Sequence, residues 1–224
     1  MMNPNALVIM AKEPRVGSTK TRLCPPLTPE EAAAISEALL LDTILLISGV
    51  DLLDLAIAIT PPESRPYFER VVPQETILIP VVCADIGECQ SIALNHLLKM
   101  GYQKVFALNA DSPSLPAAYI QGAINSLDDH DLVLGPTDDG GYYLVGFKKH
   151  HAGIFIDVDW STDRVLSQIL SKAQELELAV DQIPIWYDVD TGEEIYQLQA
   201  ELESLPPGSL PSTRKFLTQW SEKE

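Results

Sequence analysis

Positive charge is scarce in this chain: 15 lysines and arginines face 32 aspartates and glutamates, for a formal net charge of −17 over 224 residues. Nucleic acid and anionic membranes both demand a broad positive surface, so neither is expected as a standing partner. Cysteine is scarce too. Cys24, Cys83 and Cys89 are odd in number and form no Cys-x-x-Cys pair, which points away from a disulfide framework or a zinc knuckle and toward a reducing cytoplasm. His96, His130, His150 and His151 show no ligand spacing and read as surface or packing residues. Long apolar runs are missing: the stretch 38–60 is broken by Asp42, Asp51 and Asp54, so no membrane span is expected. No basic region precedes the short apolar run at 6–11, and no signal peptide is expected either. There is no internal repeat or low-complexity tract. What is present, 46% hydrophobic and 21% charged residues, suffices for a packed core, and the length fits one domain spanning 1–224.

Against this acidic background, residues 12–23 (KEPRVGSTKTRL) gather Lys12, Arg15, Lys20 and Arg22 with only Glu13 opposing them. Like charges in one loop repel unless an anion bridges them, and a phosphate chain is such a bridge. The segment directly follows the apolar run 6–11, which reads as a strand buried on both faces, with Pro14 and Gly17 as turn residues. Ligands of open α/β sheets collect at the carboxyl ends of strands. Arg15 and Arg22 offer planar forks to phosphate oxygens, Lys12 and Lys20 offer point charges, and Gly17 with Ser18 and Thr19 lets backbone N–H groups approach an anion. A solvated basic loop is the alternative. The spacing of GSTK does not match a P-loop.

Further along, Thr28-Pro29-Glu30-Glu31 has the letters of a capping box and starts a helix predicted to run to 47. Strands are predicted at 52–60, 77–83, 104–109, 132–134, 142–147 and 180–185. Helices are predicted at 63–71, 88–100, 116–127, 161–177, 193–202 and 213–222. This alternation implies a largely parallel sheet covered on both faces. The apolar residues Phe216, Leu217 and Trp220 of the last helix are left to pack on a neighbour or on the chain's own sheet.

Three acidic segments fall at strand ends. Asp111, in ADSPSLP, suits a hard cation such as Mg²⁺ that arrives with phosphates, or caps the following turn through Ser112. The segment GPTDDGGYY places Asp138 and Asp139 beside Gly140 and Gly141, where close backbone approach and hydrogen bonds to sugar hydroxyls are possible; the same letters also suit a plain hairpin turn. In WYDVDT, alternation puts Asp188 and Asp190 on one side, where an acid can complete a metal site with Asp111, or Asp190 with Thr191 caps the next helix.

In this order, AKEPRVGSTKTRL, ADSPSLP, GPTDDGGYYLVGF, DWST and WYDVDTGEE resemble a bacterial family of the nucleotide-diphospho-sugar transferase superfamily that is linked to arsenosugar biosynthesis. The resemblance covers about residues 5–200. It implies a GT-A type fold, a single Rossmann-like α/β/α sandwich with a mostly parallel mixed sheet. It also implies a nucleotide diphosphate on Lys12, Arg15, Gly17, Lys20 and Arg22, and Mg²⁺ or Mn²⁺ on Asp111 and Asp190. The acceptor or sugar would meet Asp138, Gly140, Gly141 and Tyr142, with Asp139 and Lys20 in catalytic roles. The chain lacks the LAGGxGxR loop of sugar-nucleotide pyrophosphorylases, and its Asn109-Ala110-Asp111 is not the DxD of many glycosyltransferases. The implied reaction is glycosyl transfer from a nucleotide sugar to a small acceptor. The KTRL and DGG segments also resemble 2-phospholactate guanylyltransferases and, more distantly, molybdenum-cofactor guanylyltransferases, in which an NTP would lose pyrophosphate. A non-catalytic nucleotide binder would be stabilised by ligand without turnover.

Overall fold

A computed structural model describes residues 2–222. Seven strands form one sheet: β1 (Asn5–Ala11), β2 (Leu53–Ile59), β3 (Ile77–Pro80), β4 (Lys104–Leu108), β5 (Leu132–Pro136), β6 (Tyr142–Phe147) and β7 (Val180–Gln182), in the spatial order β3-β2-β1-β4-β6-β5-β7. β6 runs antiparallel to β4 and β5, and every other pairing among the named strands is parallel. The described residues also form seven α-helices, the last two after the final strand: α1 (Pro29–Ser48), α2 (Arg65–Val71), α3 (Ile86–Met100), α4 (Ala117–Ser126), α5 (Val165–Glu175), α6 (Gly192–Ser204) and α7 (Pro211–Ser221). This is the α/β/α sandwich with a mostly parallel mixed sheet that the sequence predicts.

The sheet is buried on both faces, as continuous apolar runs require. In β1, Ala6 and Val8 enter one core with residues of α3 and α5, while Leu7 and Ile9 enter the opposite core with residues of α1, α2 and α4. In β4, Val105 and Ala107 alternate with Phe106 and Leu108 in the same way. A third cluster lies off the sheet, where Leu23 and Leu27 insert among residues of α1, α6 and α7. Leu217 and Trp220 are buried in it, so the C-terminal helix packs on helices of its own chain and not on the sheet. The buried carboxylate of Asp42 in α1 fixes that helix, accepting from Ser212 and Thr213 N–H at 3.1 and 2.7 Å. Those N–H groups open α7 and lack intrahelical partners.

Several boundaries differ from the sequence reading, each for a physical reason. β7 stops at Gln182 because Pro184 has no N–H to donate. β3 closes at Pro80. α5 begins at Val165, not at 161, because Ser161 takes a left-handed conformation (φ 64°) and Thr162 turns its hydroxyl back to the Asp159 carbonyl at 2.7 Å. Cys83 and Cys89 are joined by a disulfide with Cα atoms 5.3 Å apart, a pairing the odd cysteine count did not suggest; it closes only the turn from β3 into α3.

Candidate active site

The carboxyl ends of β1 and β4 and the start of β6 open into a cleft of about 790 Å³. The first wall is the basic loop. After β1 the chain winds into turns, with Ser18 and Thr19 N–H donating to the Arg15 carbonyl, and enters a 3-10 turn at Thr21–Leu23. Leu23 is fully buried and anchors this turn in the helical cluster. Lys20, immediately before it, is held at φ 51°, ψ 40°. A left-handed conformation costs a non-glycine residue about 1–2 kcal/mol, so something must hold Lys20 there.

The Leu23 N–H donates to its carbonyl at 3.0 Å, and two carboxylates hold its side chain. Lys20 Nζ lies 2.9 Å from Asp111 Oδ2 and 2.6 Å from Asp190 Oδ1, with only 10% of its side chain exposed. Burial opposes the charge, but Asp111 and Asp190 outweigh it and raise the lysine pKa above its ordinary value. Arg22, largely exposed, reaches Asp190 Oδ2 at 3.6 Å.

The two aspartates lie 79 residues apart in sequence and meet because the backbone joins their segments. Val189 N–H donates to the Asp111 carbonyl at 3.0 Å, and the Val189 side chain is fully buried. With Val189 inward, alternation turns Asp188 and Asp190 to the other side, where both line the cleft. Thr191, not Asp190, takes the N-cap position of α6, its N–H and hydroxyl donating to Glu194 at 2.5 and 2.6 Å. Asp190 is thereby free to face Lys20. Asp188 accepts from Asn109 Nδ2 at 3.4 Å. Burial, then the neighbouring Asp190, Asp111 and Asp139, push its pKa up to about 7 against the opposing pull of Lys20.

Opposite stands the β5–β6 turn. It is a hairpin, as its letters allow, and it also borders the cleft through Asp139, Gly141 and Tyr142. Asp139 Oδ1 accepts from the Thr137 hydroxyl at 2.5 Å and from Gly141 N–H at 3.0 Å, which fixes the carboxylate. Tyr142 donates its hydroxyl to Gln90 Oε1 of α3 at 2.6 Å. Gly140 has φ +85°, and a Cβ there would stand 2.2 Å from the Asp163 carbonyl oxygen. Its part is to let the 160–163 loop dock, and that loop completes the wall with Trp160, Ser161, Thr162 and Asp163.

Lys12, Lys20, Arg22, Asp111, Asp139, Gly141, Tyr142 and Asp190 therefore border one cleft, whereas Arg15, Gly17, Asp138 and Gly140 do not. Arg15 turns onto Glu13, 2.7 Å away, and toward Ser64. Gly17 serves the turn at φ +75°, and Asp138 is exposed. Sequence reasoning missed Gln90, Trp160 and Asp163 as cleft residues. The DWST segment was the one available signal, and it carried no assigned role.

Among the described residues no group of three or more His, Cys, Asp or Glu forms a metal cage. Mg²⁺ asks for less, since it is commonly held by one or two carboxylates, with waters and substrate phosphates completing the shell. Asp111 and Asp190, hard oxygen donors already converging on one cation, fit such an ion.

Comparison with known proteins gives a family and a fold. Residues 44–162, more than half of the chain, match the model of a family described as "Uncharacterized protein conserved in bacteria (DUF2064)". No curated protein matches. Among solved structures, the chain is similar to a "putative nucleotide-diphospho-sugar transferase" of Desulfovibrio desulfuricans G20, at 26% identity and a TM-score of 0.86 over 97% of this chain and 95% of that one. It shares its fold with 4-diphosphocytidyl-2C-methyl-D-erythritol synthase of Anaerococcus prevotii (14% identity, TM-score 0.62, 89% and 96% covered). It shares it also with a CMP:2-keto-3-deoxy-manno-octonic acid synthetase (10%, 0.59, 89% and 98%). Among the described residues no helix is long and apolar enough to cross a membrane. The chain belongs to the DUF2064 family and has the fold of the nucleotide-diphospho-sugar transferase superfamily.

Proposed function

We propose that this protein is a transferase that uses a nucleotide-activated sugar as donor and a small hydroxyl-bearing molecule as acceptor. One observation carries the reading: a buried ammonium, Lys20, held between Asp111 and Asp190 at strand ends, in the same cleft as the exposed cations Lys12 and Arg22. Phosphate oxygens are the ligands such an arrangement suits, because ammonium and guanidinium groups bind them and strand-end acids hold the ion that accompanies them. Similarity to the D. desulfuricans protein, whose name is that of a nucleotide-diphospho-sugar transferase, supports the same class.

In this reaction the bond between the sugar's anomeric carbon and the diphosphate breaks, and the electron pair leaves with the nucleoside diphosphate. Lys12, Lys20 and Arg22 bind the leaving group and stabilise the charge that builds on it. The acceptor oxygen bonds to the anomeric carbon, and its proton passes to Asp139, whose carboxylate is held in place by Thr137 and Gly141. Asp111 and Asp190 would hold Mg²⁺ or Mn²⁺, which when bound supplies further charge neutralisation at the diphosphate. Gly141 and Tyr142 border the acceptor side.

The test is product analysis with a panel of sugar nucleotides and nucleoside triphosphates. Release of nucleoside diphosphate that Asp111→Ala abolishes is the expected result. Pyrophosphate release would assign nucleotidyl transfer instead; one structure of the same fold carries the name cytidylyltransferase. Undiminished turnover in Asp111→Ala would reject the role of Asp111.

A further inference from the structure

Lys20 does more in this arrangement than add one cation to a phosphate site. Its ammonium bonds both aspartates that are the candidates for a divalent ion, so the position between them already holds a positive charge. A divalent ion placed on the same oxygens would meet that ammonium at close range, with the Lys20 side chain only 10% exposed. The lysine's backbone is in the left-handed region, where the Leu23 N–H donates to its carbonyl at 3.0 Å, so the loop presents this side chain in a fixed direction. The residues just before Lys20, Ser18 and Thr19, line the same cleft, so the loop borders the space a phosphate would enter.

We infer that Lys20 is a resident counter-ion that keeps a divalent cation from Asp111 and Asp190 until the phosphates of a nucleotide draw it away. Ion and nucleotide then bind cooperatively, and the ion alone binds poorly. The inference rests on the reading of this cleft as a nucleotide diphosphate site. Its physical content is an exchange of partners. Phosphate oxygens take the hydrogen bonds of the ammonium, the carboxylate oxygens are released to the cation, and the favourable contact between cation and phosphate replaces the one given up. Coupling of this kind is reciprocal, so each ligand tightens the other by the same factor.

The experiment uses the full chain and Mn²⁺ as the probe, followed by the loss of its free-ion paramagnetic resonance signal. Lys20→Met, which keeps an unbranched side chain as far as Cε and removes the charged Nζ, is expected to bind Mn²⁺ alone about tenfold or more tightly than wild type. Lys20→Arg, which keeps the charge, is expected to stay near wild type. Equal Mn²⁺ affinity in wild type and Lys20→Met would overturn the inference. A second measurement needs no variant: the thermal midpoint of wild type should rise with Mn²⁺ and inorganic pyrophosphate together and hardly at all with Mn²⁺ alone. A full rise with Mn²⁺ alone would overturn the inference as well. Failure of every nucleotide to bind would remove the proposed function while the comparison of the two variants with Mn²⁺ still reads out; equal Mn²⁺ affinities would remove the coupling and leave nucleotide binding intact.

Discussion

Two nearly buried lysines sit at opposite ends of the sheet, and they are balanced differently. Lys104 opens β4, with 14% of its side chain exposed. It donates to the Ile124 carbonyl near the end of α4 and to Asp128, both at 2.6 Å. One ammonium meets one carboxylate and one helix carbonyl, a closed arrangement suited to holding a strand against a helix. Asp111, just beyond the other end of the same strand, meets Lys20 in a pocket where Asp190 also bonds the ammonium and Asp188 and Asp139 stand close by. There the five carboxylates of Asp111, Asp139, Asp163, Asp188 and Asp190 share a cleft with three cations, Lys12, Lys20 and Arg22, and outnumber them. Folding gains nothing from crowding acids in this way, because like charges brought together disfavour one another's ionised form. An excess left at the strand ends where ligands bind marks a site, and a balanced pair at the other end marks a joint.

The comparison breaks most visibly at Asp111. Asp111→Asn is expected to lower nucleoside diphosphate release by about 100- to 1,000-fold, several kcal/mol of lost charge stabilisation, while the protein stays folded. Steady-state kinetics beside a thermal melt reads both. At the other end the effects reverse. Lys104→Met should leave kcat/KM unchanged and cost on the order of 1 kcal/mol, discounted because Asp128 is mostly exposed, so the thermal midpoint falls by about 2–4 °C. A loss of turnover in Lys104→Met with an intact melt would show that the two ends are not separate.

A smaller effect sharpens the picture of excess charge. Asp188 has a folded-state pKa of about 7, above its ordinary value of 3.8, because it is buried near other acids. Between these two values the folded protein retains a proton that the unfolded chain releases, so this residue's contribution to stability falls as pH rises from about 4 to 7 and levels off above. Without divalent ions, Asp188→Asn should therefore gain stability relative to wild type across that interval and keep the gain at higher pH. Thermal melts at a series of pH values measure it, and a gap that does not change with pH would remove the crowding argument.

Much of the fold was legible because its signals are local. The apolar run of β1 and the capping box at Thr28, where Glu31 N–H and the Thr28 hydroxyl meet at 3.2 Å, depend on residues a few positions apart. The letters of the site were legible for the same reason, as strand-end acids and a cation-rich loop. What the sequence does not display is which of those letters face each other. Lys20 and Asp190 are 170 residues apart, and no local pattern pairs them. Arg15 looked equal to Lys20 in the loop, yet a glutamate two positions away turns it aside. The start of α5 is not legible locally: Ser161, Thr162 and Asp163 look like a helix cap, while their loop is shaped by Gly140, whose carbonyl accepts the Leu166 N–H at 2.9 Å. Long-range contacts of this sort leave no periodicity to read.

The central claim is that the acidic end of the sheet, and not the rest of the molecule, receives a nucleotide's phosphates. Calorimetric titration of wild type, Asp111→Asn and Lys104→Met with sugar nucleotides in the presence of Mg²⁺ tests it most directly, since the two substitutions lie at the two ends of β4. The account predicts matching affinity in wild type and Lys104→Met and lost binding in Asp111→Asn; binding that survives in Asp111→Asn, or that wild type never shows, would contradict it.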